Sequence, residues 1–126
     1  MGNTDSAQVK TITLARRFVD SIYILTDDSS GKSADESTQQ LRRYSFVMME
    51  GLMDGFLSSK RSEPLNTIRN AEQFMQEVKW NLCLALENNV VSRQGFYMIL
   101  NLSREIQQLL ESIKEEALGR TNGEKQ

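Results

Sequence analysis

The stretch Leu41–Phe56, LRRYSFVMMEGLMDGF, decides how the chain folds. Its apolar residues Leu41, Tyr44, Met48, Leu52 and Phe56 recur at steps of three and four, with Val47 and Met53 beside them, and that spacing draws one face of an α-helix. Gly51 and Gly55 sit four apart in the same helix. Each costs roughly 1 kcal/mol relative to alanine in a helix interior, so a pair within one turn calls for a compensating contact. The expectation at both positions is close approach of a neighbouring helix, within the bundle or across a subunit boundary.

Working outward, DDSSGKSAD (27–35) concentrates Asp, Ser and Gly, residues that favour turns by bonding their own backbone or by tolerating positive φ. Ser33 or Asp35 can cap the helix that follows, and Asp35 and Glu36 suit the positive end of its dipole. Before this loop, Val9, Ile12, Ala15, Phe18, Val19, Ile22, Tyr23 and Leu25 step at helical spacing and predict a helix over 7–26. After the central helix, SSKRSEP holds a natural N-cap in Ser62 and a first-turn proline in Pro64. A third helix carries Leu65, Ile68, Ala71, Met75, Val78, Leu82, Ala85 and Leu86. Asn88 and Asn89 suit its C-terminus, and Ser92 caps a fourth helix with Phe96, Ile99, Leu100, Ser103, Ile106, Leu110, Ile113 and Ala117 on its core face. No run of alternating apolar and polar residues is bounded by turn signals, so no strand is expected. Four helices of similar length with short links predict an all-α, up-down-up-down antiparallel four-helix bundle over 1–118, followed by a polar tail over 119–126.

The 126 residues suffice for one core without disulfide or metal staples, and the 39% hydrophobic and 25% charged composition is that of a folded soluble domain. No apolar run reaches the ~20 residues of a bilayer span, and MGNTDSAQVK lacks the basic start and apolar segment of a signal peptide. A cytoplasmic protein without membrane contact is expected.

Histidine is absent, which removes the usual general base, the Ser/His and Cys/His dyads and the commonest metal ligand. The one cysteine, Cys83 in NLCLAL, reads as a buried small hydrophobe. Glu50 with Asp54 and Glu72 with Glu77 read as solvated helix faces, because a di-metal bundle needs inward Glu and Glu-x-x-His pairs. No enzyme, metal site or cofactor is expected.

Net charge is −2, so any nucleic-acid contact must come from local basic residues or from assembly that gathers them. The cations come in doublets: Arg16-Arg17 on the first helix, Arg42-Arg43 early on the second and Lys60-Arg61 in the turn after it. Phe46, Met49, Trp80 and Leu84 lie off the main apolar stripes, and a bundle with apolar residues on more than one face has a second surface to cover. Homo-oligomerisation is expected.

The run QLRRYSFVMMEGLMDGF, preceded by IYILT and followed by PLNTIRNAEQFMQEV and VVSRQGFYMILNLSREI, resembles the bacterial four-helix bundle family that includes proteins encoded in ribosomal RNA intervening sequences. Within it the likeness is greatest to the accessory variability determinant (Avd) proteins of diversity-generating retroelements, over about residues 12–116. That family's second helix has an Arg-rich start and a small-residue Asn-Ile-Ala-Glu-Gly run. Here the run reads Gly51-Leu52-Met53-Asp54-Gly55, with the acid and last glycine kept in kind and Gly51 in place of Asn. The resemblance implies a non-enzymatic pentamer of bundles that binds a reverse transcriptase and its structured template RNA, and the basic doublets Arg16, Arg17, Arg42, Arg43, Lys60 and Arg61 are the contacts expected from charge placement. Avd proteins are typically basic, whereas this chain has a pI near 5.2, which shifts weight toward protein contact. The alternative is an oligomeric interaction module of the intervening-sequence type with no nucleic-acid role.

Overall fold

The computed structural model describes residues 3–27, 35–58 and 63–124, and side-chain surroundings within 6–27, 35–58 and 63–119. Among these residues the chain forms four α-helices and no strand: α1 (Asn3–Leu25), α2 (Glu36–Leu57), α3 (Pro64–Glu87) and α4 (Arg93–Glu124).

The helix ends follow local chemistry. Asp35 caps α2 from extended backbone, its carboxylate accepting the Ser37 N–H at 3.1 Å and the Ser37 hydroxyl, and Glu36 adds negative charge to the first turn. Ser33 and Ser62, the other expected caps, lie outside the described residues. At α3 the N-cap position is Glu63, which makes no side-chain capping bond, and Pro64 opens the helix where its missing N–H is not needed. The exit from α3 is a Schellman motif: the Val90 N–H donates to the Ala85 carbonyl (2.8 Å) and the Asn89 N–H to that of Leu86 (3.1 Å). Asn89 takes the left-handed φ of 62° that the motif requires. Ser92 then caps α4, its hydroxyl accepting the Gly95 N–H at 3.0 Å.

Each helix buries a stripe that alternates steps of three and four. On α2 it runs Leu41, Ser45, Met48, Leu52, Gly55/Phe56; on α3, Ile68, Ala71, Met75, Val78, Leu82, Ala85. Ile99, Ser103, Ile106, Leu110 and Ile113 form the α4 stripe, and on α1 Gln8, Thr11, Ala15, Phe18 and Ile22 do the same, with Thr26 buried a further four residues on. Polar members are accommodated by bonding back into their own helix: Thr11 donates to the Ala7 carbonyl (2.7 Å), Asn81 to Glu77 (2.8 Å) and Ser103 to Leu100 (2.6 Å). The period of 3.5 is that of left-handed knobs-into-holes packing. Burial of each Leu, Ile, Phe or Met contributes about 1.5–3 kcal/mol, so the core outweighs a third-exposed surface pair such as Lys114–Glu72 at 3.3 Å, which is worth about 1 kcal/mol or less.

α2 packs against α1 and α3, and α4 against α3 and α1, with no packed diagonal pair among the described residues. Between α3 and α4, Lys79 donates to Gln107 (2.9 Å) while the earlier Glu72 meets the later Lys114. Between α2 and α3, the Tyr44 and Phe74 rings lie 6.2 Å apart, and the later Gly55 meets the earlier Thr67.

Three expectations are corrected. Val9 and Tyr23 are exposed rather than in the core, because the α1 stripe is narrower than the apolar pattern and includes Gln8 and Thr11 instead. Cys83 is exposed, lying next to buried Leu82 but turned past the edge of the α3 stripe. The helix α4 runs to Glu124, past Gly119, because a polar segment without proline can continue the backbone hydrogen bonding of the helix it follows.

Candidate functional site

The two glycines of α2 have opposite surroundings. A Cβ on Gly55 would overlap the Thr67 side chain, lying 2.8 Å from the Thr67 Cβ, so here the expected close approach exists, between α2 and α3. Gly51 is exposed and a Cβ there would meet nothing within 4 Å. The expectation of an intramolecular close approach at Gly51 is therefore corrected: position 51 lies off the face that α2 turns to the core.

The basic doublets also divide. Arg42 is half-buried and engaged within the chain: its Nε donates to the Thr26 hydroxyl (2.7 Å), its Nη2 to the Tyr23 carbonyl (3.3 Å), and its guanidinium lies 4.9 Å from the centroid of the Tyr23 ring. The Thr26 hydroxyl in turn donates to the Ile22 carbonyl at 2.6 Å. A cation at the α1 C-terminus complements the negative end of that helix dipole and supplies donors where the last carbonyls lack intrahelical partners. Arg42 thus ties α2 to the end of α1. Arg16, Arg17 and Arg43 are exposed. The α1 doublet lies about two turns from the Tyr23–Thr26 end, so the fold does not gather it with Arg42. Lys60 and Arg61 lie outside the described residues.

Apolar exposure is spread over several faces. Trp80 is 64% exposed on α3, with Cys83 one turn away on the same outer side. On α1, Val9 and Ile24 are 55% and 74% exposed, and on α2 Phe46, Met53 and Leu57 stand out from the bundle. Met49 and Leu84, read as off-stripe residues, are half-buried.

A surface groove of about 690 Å³ lies between α2 and α3. Val47, Met53, Leu57 and Phe74 give it apolar walls, Gly51 leaves it open, and Glu50 and Asp54 supply its charge, with no basic residue in the lining. Sequence reading assigned these two carboxylates to a solvated face and Gly51 to a helix contact. The signal that could have joined them is the alternation of Val47, Glu50, Gly51, Asp54 and Leu57 along one side of α2.

Among the described residues no three His, Cys, Asp or Glu side chains converge as a metal site, and no helix is long and apolar enough to cross a membrane. Comparison of the chain with protein-family models, with curated proteins and with solved structures gives no match.

Proposed function

We propose that this chain is a non-enzymatic accessory subunit of the Avd type, an up-down-up-down antiparallel bundle that assembles into a homo-oligomer, as a pentamer, and binds a reverse transcriptase and its structured template RNA. The observation that carries the reading is the exposure of large apolar residues on all four helices, Ile24 of α1, Leu57 of α2, Trp80 of α3 and Tyr97 of α4, on a bundle whose core is already filled. Surfaces of that kind suit protein contact. The antiparallel topology accords with contacts such as Lys79–Gln107 and Glu72–Lys114, in which the order of partners reverses from α3 to α4. The Leu41–Phe56 resemblance supplies the identity of the partners, and of the basic doublets Arg16, Arg17 and Arg43 are exposed and available to them. In this arrangement the polymerase chemistry belongs to the partner and the bundle is a scaffold.

Co-expression with the reverse transcriptase of a diversity-generating retroelement encoded beside it tests the reading. The two proteins should copurify, and the complex should retain template RNA with an affinity that falls as salt rises. If the polymerase does not copurify and the purified protein shows no salt-sensitive RNA binding, the reading is lost. The second reading, an oligomeric interaction module of the ribosomal intervening-sequence type without nucleic acid, is favoured by the two carboxylates in the α2/α3 groove, which repel phosphate. Assembly without any RNA retention selects it.

A further inference from the structure

We infer that the α2/α3 groove receives the outer face of α1 from a second copy of this chain. The inference rests on the oligomeric part of the reading above and assigns its interface. Its first support is charge. The groove carries Glu50 and Asp54 and no cation, while the exposed face of α1 presents Arg16 and Arg17.

Order along the helix is the second support. Val9 and Ile24, the most exposed apolar residues of α1, stand about 22 Å apart along the helix, with the arginine doublet midway between them. The α2 side of the groove, from Val47 to Ser58, spans about 16 Å, with the carboxylates near its middle and apolar Val47 and Leu57 toward its ends. Setting arginines against carboxylates therefore carries Val9 and Ile24 about 3 Å past each end of the groove, so the two faces match in order, apolar then charged then apolar, rather than in length. Asp20 lies on the same side of α1 and lines a cavity together with Ile24, Tyr23 and Phe46 of its own chain, so this face carries one carboxylate beside its two arginines.

Gly51 is the third support. At Gly51 no residue of the same chain fills the space, which leaves room for a backbone from outside to approach. Because convex α1 and the concave groove are different patches of one subunit, the contact is heterologous, and repeating it generates a ring if the rotation closes.

Size-exclusion chromatography with light scattering on the full chain, at tens of micromolar, tests the assignment. The wild type should give a multiple of 14.4 kDa. Glu50→Arg/Asp54→Arg should run at the monomer mass, as should Arg16→Glu/Arg17→Glu, and the chain carrying all four reversals should reassemble. Gly51→Leu should keep its helical circular dichroism and lose assembly, since the added side chain meets open space within its own subunit. A monomeric wild type would overturn both the oligomeric reading and this interface. An assembled wild type whose mass is unchanged by the reversals or by Gly51→Leu would overturn this interface alone. A folded fourfold variant that stays monomeric would do the same.

Discussion

Placing a methyl group on Gly55 drives it into the Thr67 side chain, whereas the same methyl on Gly51 meets open space. Overpacking costs about 1–3 kcal/mol and the helix gains roughly 1 kcal/mol on losing a glycine. Gly55→Ala should therefore destabilise by up to about 2 kcal/mol and Gly51→Ala should stabilise by about 1 kcal/mol, measured by denaturant unfolding. Thr67→Ala in the Gly55→Ala background should recover part of the loss, because its own Cβ still lies 2.8 Å from the new methyl, and no recovery at all would reject the steric explanation. The two glycines are equivalent in sequence and differ only in what α3 brings near them, which explains why the pair could be noticed at 41–56 but not told apart. Arg42 and Arg43 divide in the same way. Losing two hydrogen bonds and the Tyr23 ring contact should make Arg42→Ala about 1–2 kcal/mol less stable, while Arg43→Ala should stay within about 0.5 kcal/mol of wild type. Equal effects would remove the assignment of Arg42 as the tie between α1 and α2.

At the scale of the helix, ends and faces answer to different information. Caps are local, so Asp35, Asn88, Asn89 and Ser92 were legible from residue type alone, and Asp35→Ala should cost about 1 kcal/mol through the lost Ser37 bond. Asn89 holds a left-handed φ that residues with an ordinary Cβ adopt at a cost of about 1–2 kcal/mol. Asn89→Ala should lose about 1 kcal/mol and Asn89→Gly should not; equal losses in thermal unfolding would count against the Schellman role. The core faces of α3 and α4 were readable because apolar residues dominate their 3.5 period, and on α2 Leu41, Met48, Leu52 and Phe56 were, while buried Ser45 takes the place given to half-buried Tyr44. On α1 the period continues through Gln8, Thr11 and Thr26, which an apolar pattern cannot count, and Val9 and Tyr23 were drawn into the face in their place. The hydroxyls of Thr11 and Thr26 can be buried because each bonds a carbonyl of its own helix, a compensation visible only once the helix exists. Cys83 failed for a related reason: its type favours burial, and only its angular offset from Leu82 puts it outside.

For the whole molecule, charge limits what RNA binding can be. A subunit of net charge −2 gains no general attraction for phosphate on assembling, since copying it multiplies anions as well as cations. Contact must then come from particular arginines, each releasing counterions and contributing about −0.7 to the slope of log K against log salt for a single-stranded site. If α1 of one subunit fills the groove of the next, Arg16 and Arg17 are withdrawn into the assembly, and Arg42 is held by Tyr23 and Thr26. Among the described doublet residues this leaves Arg43, exposed on the outer side of α2, to face RNA. Arg43→Ala should weaken RNA retention by the assembled protein and make the salt slope shallower by about 0.7 for every copy in contact, with no change in oligomer mass. Arg42→Ala should shift the unfolding midpoint and leave the slope alone. An unchanged slope and affinity in Arg43→Ala would withdraw the RNA role from this residue and move the balance to the protein-only module.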